Sequence, residues 1–483
     1  MAPNQTVTLN GSGLNRVTEV SLGRIVIPAE NIDRANSTSS ELIVRIPSGF
    51  ASGRLSIRSE TNQIIESLEN LQIEPLCDAQ LNIKKSLAIK SPSVVNHPNT
   101  VYKSRDLANS HWSFGYLMGR IGGFDPSNPE VFETQASGFI LSFLKSIKND
   151  PRTNSDLITV PNGNLVQGRD TQPLIDSLPT KINFQGRKIL DLEKLPFVLL
   201  SILSRIDLKK DNIQAGEGRF IFGLSNSSQI TIILEYGLPL IPSSLNPSNT
   251  LAEWAKRWAV LSQLTLGSPE YIAALKTVTD AFSDARFPGR VNESAINQVR
   301  TNELALGSFP WQLREWNLRK LNPADNLAVL LPATVKQTPD SALNGKAALG
   351  IWAQANRDAI LDGKLELKDS DTIVDDEGRT RPLLGAFANV DRNWSVPGVD
   401  ESLRRTFAIN MTCNGCHSSE TETSFTHVSP RFVTIGTPNP PEDENDLNLN
   451  PSDGSSFFSN FLIKNLNERK TLMNRVLRQQ LCQ

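Results

Sequence analysis

The sequence predicts a multidomain protein: a small all-β sandwich followed by a larger, helix-rich α+β domain. Three observations carry this. The chain has 483 residues, enough for two to four domains. Over residues 1–75 apolar and polar side chains alternate with period two, cut by Gly, Asn and Pro. From residue 105 the apolar spacing changes to threes and fours, with a few strand-like runs between. No fixed-period repeat is present, which excludes a solenoid or propeller. A hydrophobic fraction of 39% suffices for ordinary packed cores, and a net charge of -2 argues against nucleic-acid binding. No apolar run approaches the roughly 18 residues that a membrane-spanning helix needs.

Taken in order, "QTVTLNGSGL", "EVSLGRIVI", "ELIVRIPSGF", "GRLSIRSE" and "LENLQIEP" are short strands with frequent turns. Val7-Thr8-Leu9-Asn10-Gly11-Ser12-Gly13, Val20-Ser21-Leu22-Gly23, Val44-Arg45-Ile46-Pro47 and Ser52-Gly53 carry a resemblance to the IPT/TIG domain, an immunoglobulin-like module. The resemblance implies a 1–75 sandwich serving as a spacer or a binding unit for cell surfaces or polymers. Residues 76–104, with "SPSVVNHPNT", read as a linker.

Helical spacing then predicts helices at "SRDLANSHWSFGYLMGRI", "PEVFETQASGFILSFLKSIKN" and the strongly apolar "LEKLPFVLLSILSRIDL". "GRFIFGLS" and "QITIILEYG" around "NSS" predict a hairpin. Thr250 caps a helix bearing Trp254 and Trp258, and Ser268 with Pro269 starts another. "SFPWQLREWNLRK" fits a strand, "SALNGKAALGIWAQANRDAILDG" a helix closed by Gly363, and "LNERKTLMNRVLRQQL" a last amphipathic helix. Strands do not alternate regularly with helices, so residues 105–483 are α+β rather than doubly wound.

Chemistry concentrates at 413–417, "CNGCH", which holds two of the four cysteines and one of the four histidines. Cysteine, cysteine three positions on, then histidine is the attachment pattern of a c-type haem. Two thiols add to the vinyl groups on one porphyrin edge, and the next imidazole ligates iron. Chance alone gives the pattern on the order of 3 times in 10,000 at this composition. Cys413 and Cys416 therefore bind haem c and His417 is the proximal ligand on this reading. Two alternatives stay open: a Cys413–Cys416 disulfide or redox dithiol, and a zinc site of Cys413, Cys416, His417 and His427. The adjacency of Cys416 and His417 speaks against zinc. His427 is the first candidate for a second iron ligand; His97, His111, Met118, Met411 and Met473 are the others.

"HWSFGYLMGRI", "AGEGRFIFGL", "ILEYGLP", "AEWAKRWAVLSQL", "VRTNELAL", "PWQLREWNL", "VKQTPD" and "FAINMTCNGCHSSETETSFTHVSPR" are similar to a family of uncharacterised exported bacterial proteins with a single CxxCH motif. The resemblance covers most of residues 105–435 and implies that His427, Arg431, Glu420 and Glu422 share one site with the motif. Arg431 could pair with a haem propionate. Haem is attached covalently outside the cytoplasm, so the expected location is periplasmic, cell-surface or secreted, with a leader removed ahead of "MAPNQTVTLNGSG". Cys77 and Cys482, near the ends of the main domain, could form a disulfide.

Weaker signals are the acidic runs "DSDTIVDDEGR" and "PPEDENDLNLNPSDGSS". They lack the residue order of a Ca²⁺-binding EF-hand and read as solvated loops rather than Ca²⁺ sites. Glu217, Arg219 and Glu235 read equally as hydrolase carboxylates or as paired charges. The tryptophans fall on apolar faces, which favours core packing. The sequence thus points to an exported monohaem c-type redox protein, in electron transfer or haem-dependent oxidation. Its redox partner or substrate is not legible. The alternative is an extracellular binding or adhesion protein whose Cys413–Cys416 pair is structural.

Overall fold

The computed structural model describes residues 6–22, 25–27, 29–46, 53–71, 81–148, 158–159, 165–166, 169–210, 212–246, 249–304, 306, 311–322, 327–335, 338–363, 365–368, 370–384, 389–390, 393–429 and 458–481. It mixes sheets and helices in more than one domain.

The first strands are β1 (Thr6–Asn10), β2 (Val17–Leu22), β3 (Ile25–Val26), β4 (Ile32–Asp33), β5 (Glu41–Arg45), β6 (Gly53–Ser59) and β7 (Ile64–Leu71). They form two antiparallel sheets, β1-β5-β4 and β3-β2-β6-β7. Period-two alternation turns Val20, Leu22, Leu42, Val44 and Leu55 inward, where they form a core of their own.

The main domain is built on one large antiparallel sheet, not on a helical scaffold with a lone hairpin. Its strands are β8 (Ala88–Ile89), β13 (Phe197–Arg205), β14 (Gln214–Leu224), β15 (Ser227–Pro239), β16 (Ile296–Glu303), β17 (Gln312–Arg319) and β18 (Val329–Ala333), with β21 (Asn389–Val390) beside β17. The order β18-β17-β16-β15-β14-β13-β8 is largely a meander, in which sequence neighbours pair directly. Short hairpins lie outside it: β9 (Ile158–Thr159) with β10 (Leu165–Val166), β11 (Thr180–Ile182) with β12 (Lys188–Leu190), and β19 (Thr372–Val374) with β20 (Thr380–Pro382).

Two expectations are corrected here. "LEKLPFVLLSILSRIDL" is strand β13, not a helix. A strongly apolar run, interrupted only by Ser201 and Ser204, fits both periods, and here pairing with β14 and burial on both faces decide for the strand. The 76–104 linker is corrected over 81–104. Ala88 and Ile89 pair with Leu203 and Ile202, and Leu87, Val94 and Tyr102 lie in the main core. Polar caps gave this stretch a loop-like composition: Asn82 and Ser91 cap one-turn helices Ile83–Ser86 and Pro92–Val95.

The other helices fall where the spacing places them: Phe114–Ile121, Pro129–Lys148, Leu251–Val260, Pro269–Ser283, Glu401–Met411 and Asn460–Leu481. Thr250 accepts from the Glu253 amide and Ser268 from the Tyr271 amide, as capping requires. The helix ending at Gly363 is two, Ala347–Ala355 and Arg357–Leu361, and Gly363 takes φ +64°.

Register sorts the large sheet into two unlike faces. Phe220, Phe222, Leu234, Val299 and Trp316 point one way, into the helices; Phe220 meets Phe282 and Trp316 meets Phe143. Arg205, Glu217, Arg219, Glu235, Gln298, Arg300, Asn302 and Glu315 point the other way. That polar face is where the CNGCH segment and the C-terminal helix come in. The segment has its own small core behind it, of Leu343, Leu349, Ile360, Leu403, Phe407 and Met411. No helix of the described residues is long and apolar enough to cross a membrane.

Candidate metal centre

Cys413–Cys416 is a single helical turn that follows the Glu401–Met411 helix. Thr412 sets the break between them. Its backbone is extended, its hydroxyl donates to Ala408 O at 2.6 Å, and the same oxygen accepts from the Gly415 amide at 2.9 Å. Gly415 is required by space: an added Cβ would stand 2.0 Å from Ala408 O. Asn414 turns inward and accepts from Trp394 Nε1 at 2.6 Å. Cys413, Cys416 and His417, spaced three and four apart, occupy the opposite face, toward the sheet.

Both cysteines are free thiols and half-buried, so the disulfide alternative is not the state of this structure. Thr338 Oγ1 lies 3.3 Å from Cys413 Sγ. Burial pushes the Cys413 thiol up, partly offset by Arg300. Burial, and then Cys413 itself, push Cys416 up to about 12. Both therefore stay protonated at neutral pH until an electrophile or a metal takes them.

His417 Nδ1 is 2.8 Å from the Phe425 carbonyl, so this nitrogen carries the proton and Nε2 keeps its lone pair. Phe425 sits at φ +60°, which turns that carbonyl back toward the motif, and Asn302 Nδ2 donates to it from the sheet at 2.5 Å. Trp311, fully buried, stacks on both rings, with centroids 5.8 Å from His417 and 5.4 Å from Phe425. Trp311 Nε1 is fixed in turn by Asn302 Oδ1. Burial holds His417 down at about 4, and burial and then His417 hold His427 well below the usual imidazole range. Two neutral imidazoles are what metal ligation requires.

His427 is brought in by the C-terminal segment. Its Nδ1 pairs with Ser459 Oγ at 2.8 Å, its carbonyl accepts from the Ser459 amide, and its ring lies 5.4 Å from Phe461. Its Nε2 stands 3.4 Å from Cys416 Sγ. Ligand atoms of Cys416, His417 and His427 all fall within 4.8 Å of one another. Each imidazole thus has its Nδ1 anchored to protein oxygen, which leaves Nε2 toward the centre, that of His427 against Cys416 Sγ; this is the outer-shell arrangement of metal-binding histidines. The His417 and His427 centroids are 4.3 Å apart. Two imidazoles trans on one metal would need roughly 6 Å. His427 therefore stands beside His417, not opposite it.

The remaining sequence candidates separate clearly. Glu420 is not beside the free nitrogens; it is held by Arg404 at 2.6 and 3.2 Å and so ties the segment after the motif to the preceding helix. Glu422 is exposed. His97 caps the Asn99 amide and His111 pairs with Asp280 at 2.8 Å. Met118, Met411 and Met473 are core residues. Glu217, Arg219 and Glu235 are paired charges, as one reading had it, but they are buried: Arg219 reaches Glu217 at 2.6 Å and Glu235 at 3.0 Å. In the first acidic run Asp375 and Asp376 accept from backbone amides, and Asp375 pairs with Arg379 and Arg381. Arg431, Cys77, Cys482 and the second acidic run lie outside the described residues.

Sequence reading missed Trp311, Asn302, Thr338 and Ser459. They lie 32 to 123 positions from the residues they hold, and only the sheet and the C-terminal helix bring them together. Trp311, Asn302, Thr338 and Ser459 belong to no spacing pattern with known chemistry. Comparison of the chain with protein-family models, with curated proteins and with solved structures finds no match.

Proposed function

We propose that the chain is an exported monohaem c-type redox protein, with an immunoglobulin-like module of the IPT/TIG kind at its N-terminus. The observation that carries this reading is the one-turn CNGCH helix. It holds two unpaired thiols and one imidazole on a single face, with His417 Nδ1 anchored and Nε2 left to ligate. Bound there, haem would supply a one-electron iron couple. The protein's part is to place the two thiols three residues apart, to keep His417 neutral, and to stiffen it through Phe425 and Trp311. Covalent attachment puts the protein outside the cytoplasm, in the periplasm, at the cell surface or secreted.

One specific observation favours a second reading. Cys416, His417 and His427 converge closely enough to hold a transition-metal ion without a porphyrin, as two imidazoles and one thiolate. One experiment separates the two. The protein is produced in a host that attaches haem in its periplasm, then analysed by visible spectrum, intact mass and metal content. A thioether-haem spectrum with one haem added to the mass supports the first reading. A protein with no haem bands and no haem mass that carries one equivalent of zinc or copper, lost on His427→Ala, supports the second and ends the first.

A further inference from the structure

Behind Cys416 and His427 the polar face of the sheet is a chain of buried ion pairs. Arg205 grips Asp207 with contacts of 2.8 to 3.1 Å, and Arg469, from the C-terminal helix, reaches the same carboxylate at 3.3 Å. Further along, Arg219 holds Glu217 and Glu235, while Arg300 reaches Glu235 at 3.7 Å and Glu315 at 3.1 Å. The charges balance over the chain as a whole but not at its ends. Two guanidiniums share one carboxylate at the Asp207 end, and two share three carboxylates at the other.

The surplus cation is Arg469. Its side chain is 4% exposed; Nε faces Asp207, and Nη1 has no hydrogen-bond partner. A buried guanidinium with idle donors is a costly arrangement, and carboxylate is the group its planar fork matches best. Arg469 is also within electrostatic reach of Cys416 and His427, as is Arg205. Arg469 also lies on the helix whose start holds His427 through Ser459 and Phe461, which places its idle donors near the CNGCH centre.

We propose that Arg469, backed by Arg205, is a carboxylate-binding subsite at the edge of the CNGCH centre. The ligand chemistry is a carboxylate carried either by a porphyrin side chain or by a free organic acid. The porphyrin source rests on the haem reading above; the free-acid source does not. In either case the group that takes the anion comes from the C-terminal helix, whereas the sequence had pointed to Arg431.

The test uses the purified full-length, haem-free chain and reads quenching of tryptophan fluorescence, to which Trp311 beside His417 contributes. The probes are hemin, hemin dimethyl ester, in which both carboxylates are blocked, and malonate. The wild type is expected to bind hemin about tenfold or more tightly than the ester. Arg469→Met should bind the two alike, and Arg469→Lys should keep part of the preference. No preference in the wild type, or an unchanged preference in Arg469→Met, overturns the proposal for the porphyrin source. The wild-type and Arg469→Lys comparisons decide this even where Arg469→Met does not fold. If the wild type binds neither porphyrin, the porphyrin source is excluded, and thermal unfolding in malonate decides the subsite. A rise in melting temperature that Arg469→Lys retains and Arg469→Met lacks assigns it to a free acid. No rise in the wild type overturns it.

Discussion

At the scale of single residues, the centre is a set of groups whose second atoms are already committed. His417 spends Nδ1 on Phe425, His427 spends Nδ1 on Ser459, and Thr412 spends its hydroxyl on Ala408 and Gly415. Replacing His417 by Ala should abolish haem or metal retention with only a modest loss of stability, from its stacking on Trp311 and its bond to Phe425; absorbance and metal analysis against a circular-dichroism control check this. Gly415→Ala is different. A methyl group driven toward Ala408 O must displace the helical turn, so a loss of about 1–3 kcal/mol in unfolding free energy is expected, together with loss of the cofactor. Titration makes a third expectation. In the cofactor-free protein His417 is held at about 4 in the folded state and near its ordinary 6.5 when unfolded. The unfolded chain therefore takes up protons first, and stability that is complete above pH 6.5 falls as pH drops toward 4. His427 acts in the same direction. Denaturant midpoints at pH 7 and pH 5 should differ, and by less in His427→Phe.

At the scale of elements, the motif is held from three sides. The Glu401–Met411 helix supplies Arg404, which binds Glu420 beyond the motif. The sheet supplies Asn302 and, at its edge, Trp311. The C-terminal helix supplies Ser459 at its start and Arg469 two turns on. The Arg404–Glu420 pair is largely buried, so Arg404→Met should cost more than an exposed ion pair, about 1–3 kcal/mol, because it leaves Glu420 only the longer 3.9 Å contact with Arg405. The expected readout is a lower unfolding midpoint, rescued in part by the double change with Glu420→Gln. Strand β13 shows where element reading stops. Leu, Ile and Val in a run broken only by Ser201 and Ser204 fit a buried helix as well as a buried strand, and nothing local decides between them. Its partners, Phe220 and Phe222 on β14, do.

At the scale of the whole molecule, the N-terminal sheets and the main domain have separate hydrophobic cores. Calorimetry should show two unfolding transitions, and removing residues 1–71 should leave the larger one and any haem spectrum in place; a single merged transition would count against this. What the sequence determined alone is what depends on neighbours along the chain. The capped helices, the period-two strands and the CNGCH turn follow from spacing and from side-chain bonds three or four residues away. The tertiary structure decided what depends on distant partners. It made β13 a strand and drew residues 81–104 into the main core. It set His427 beside His417, turned Glu217, Arg219 and Glu235 into one buried chain of charges, and left Arg469 with idle donors at its end. The reason is physical. Short-range bonds are encoded in local spacing, whereas burial and charge pairing exist only once strands far apart in sequence share a face.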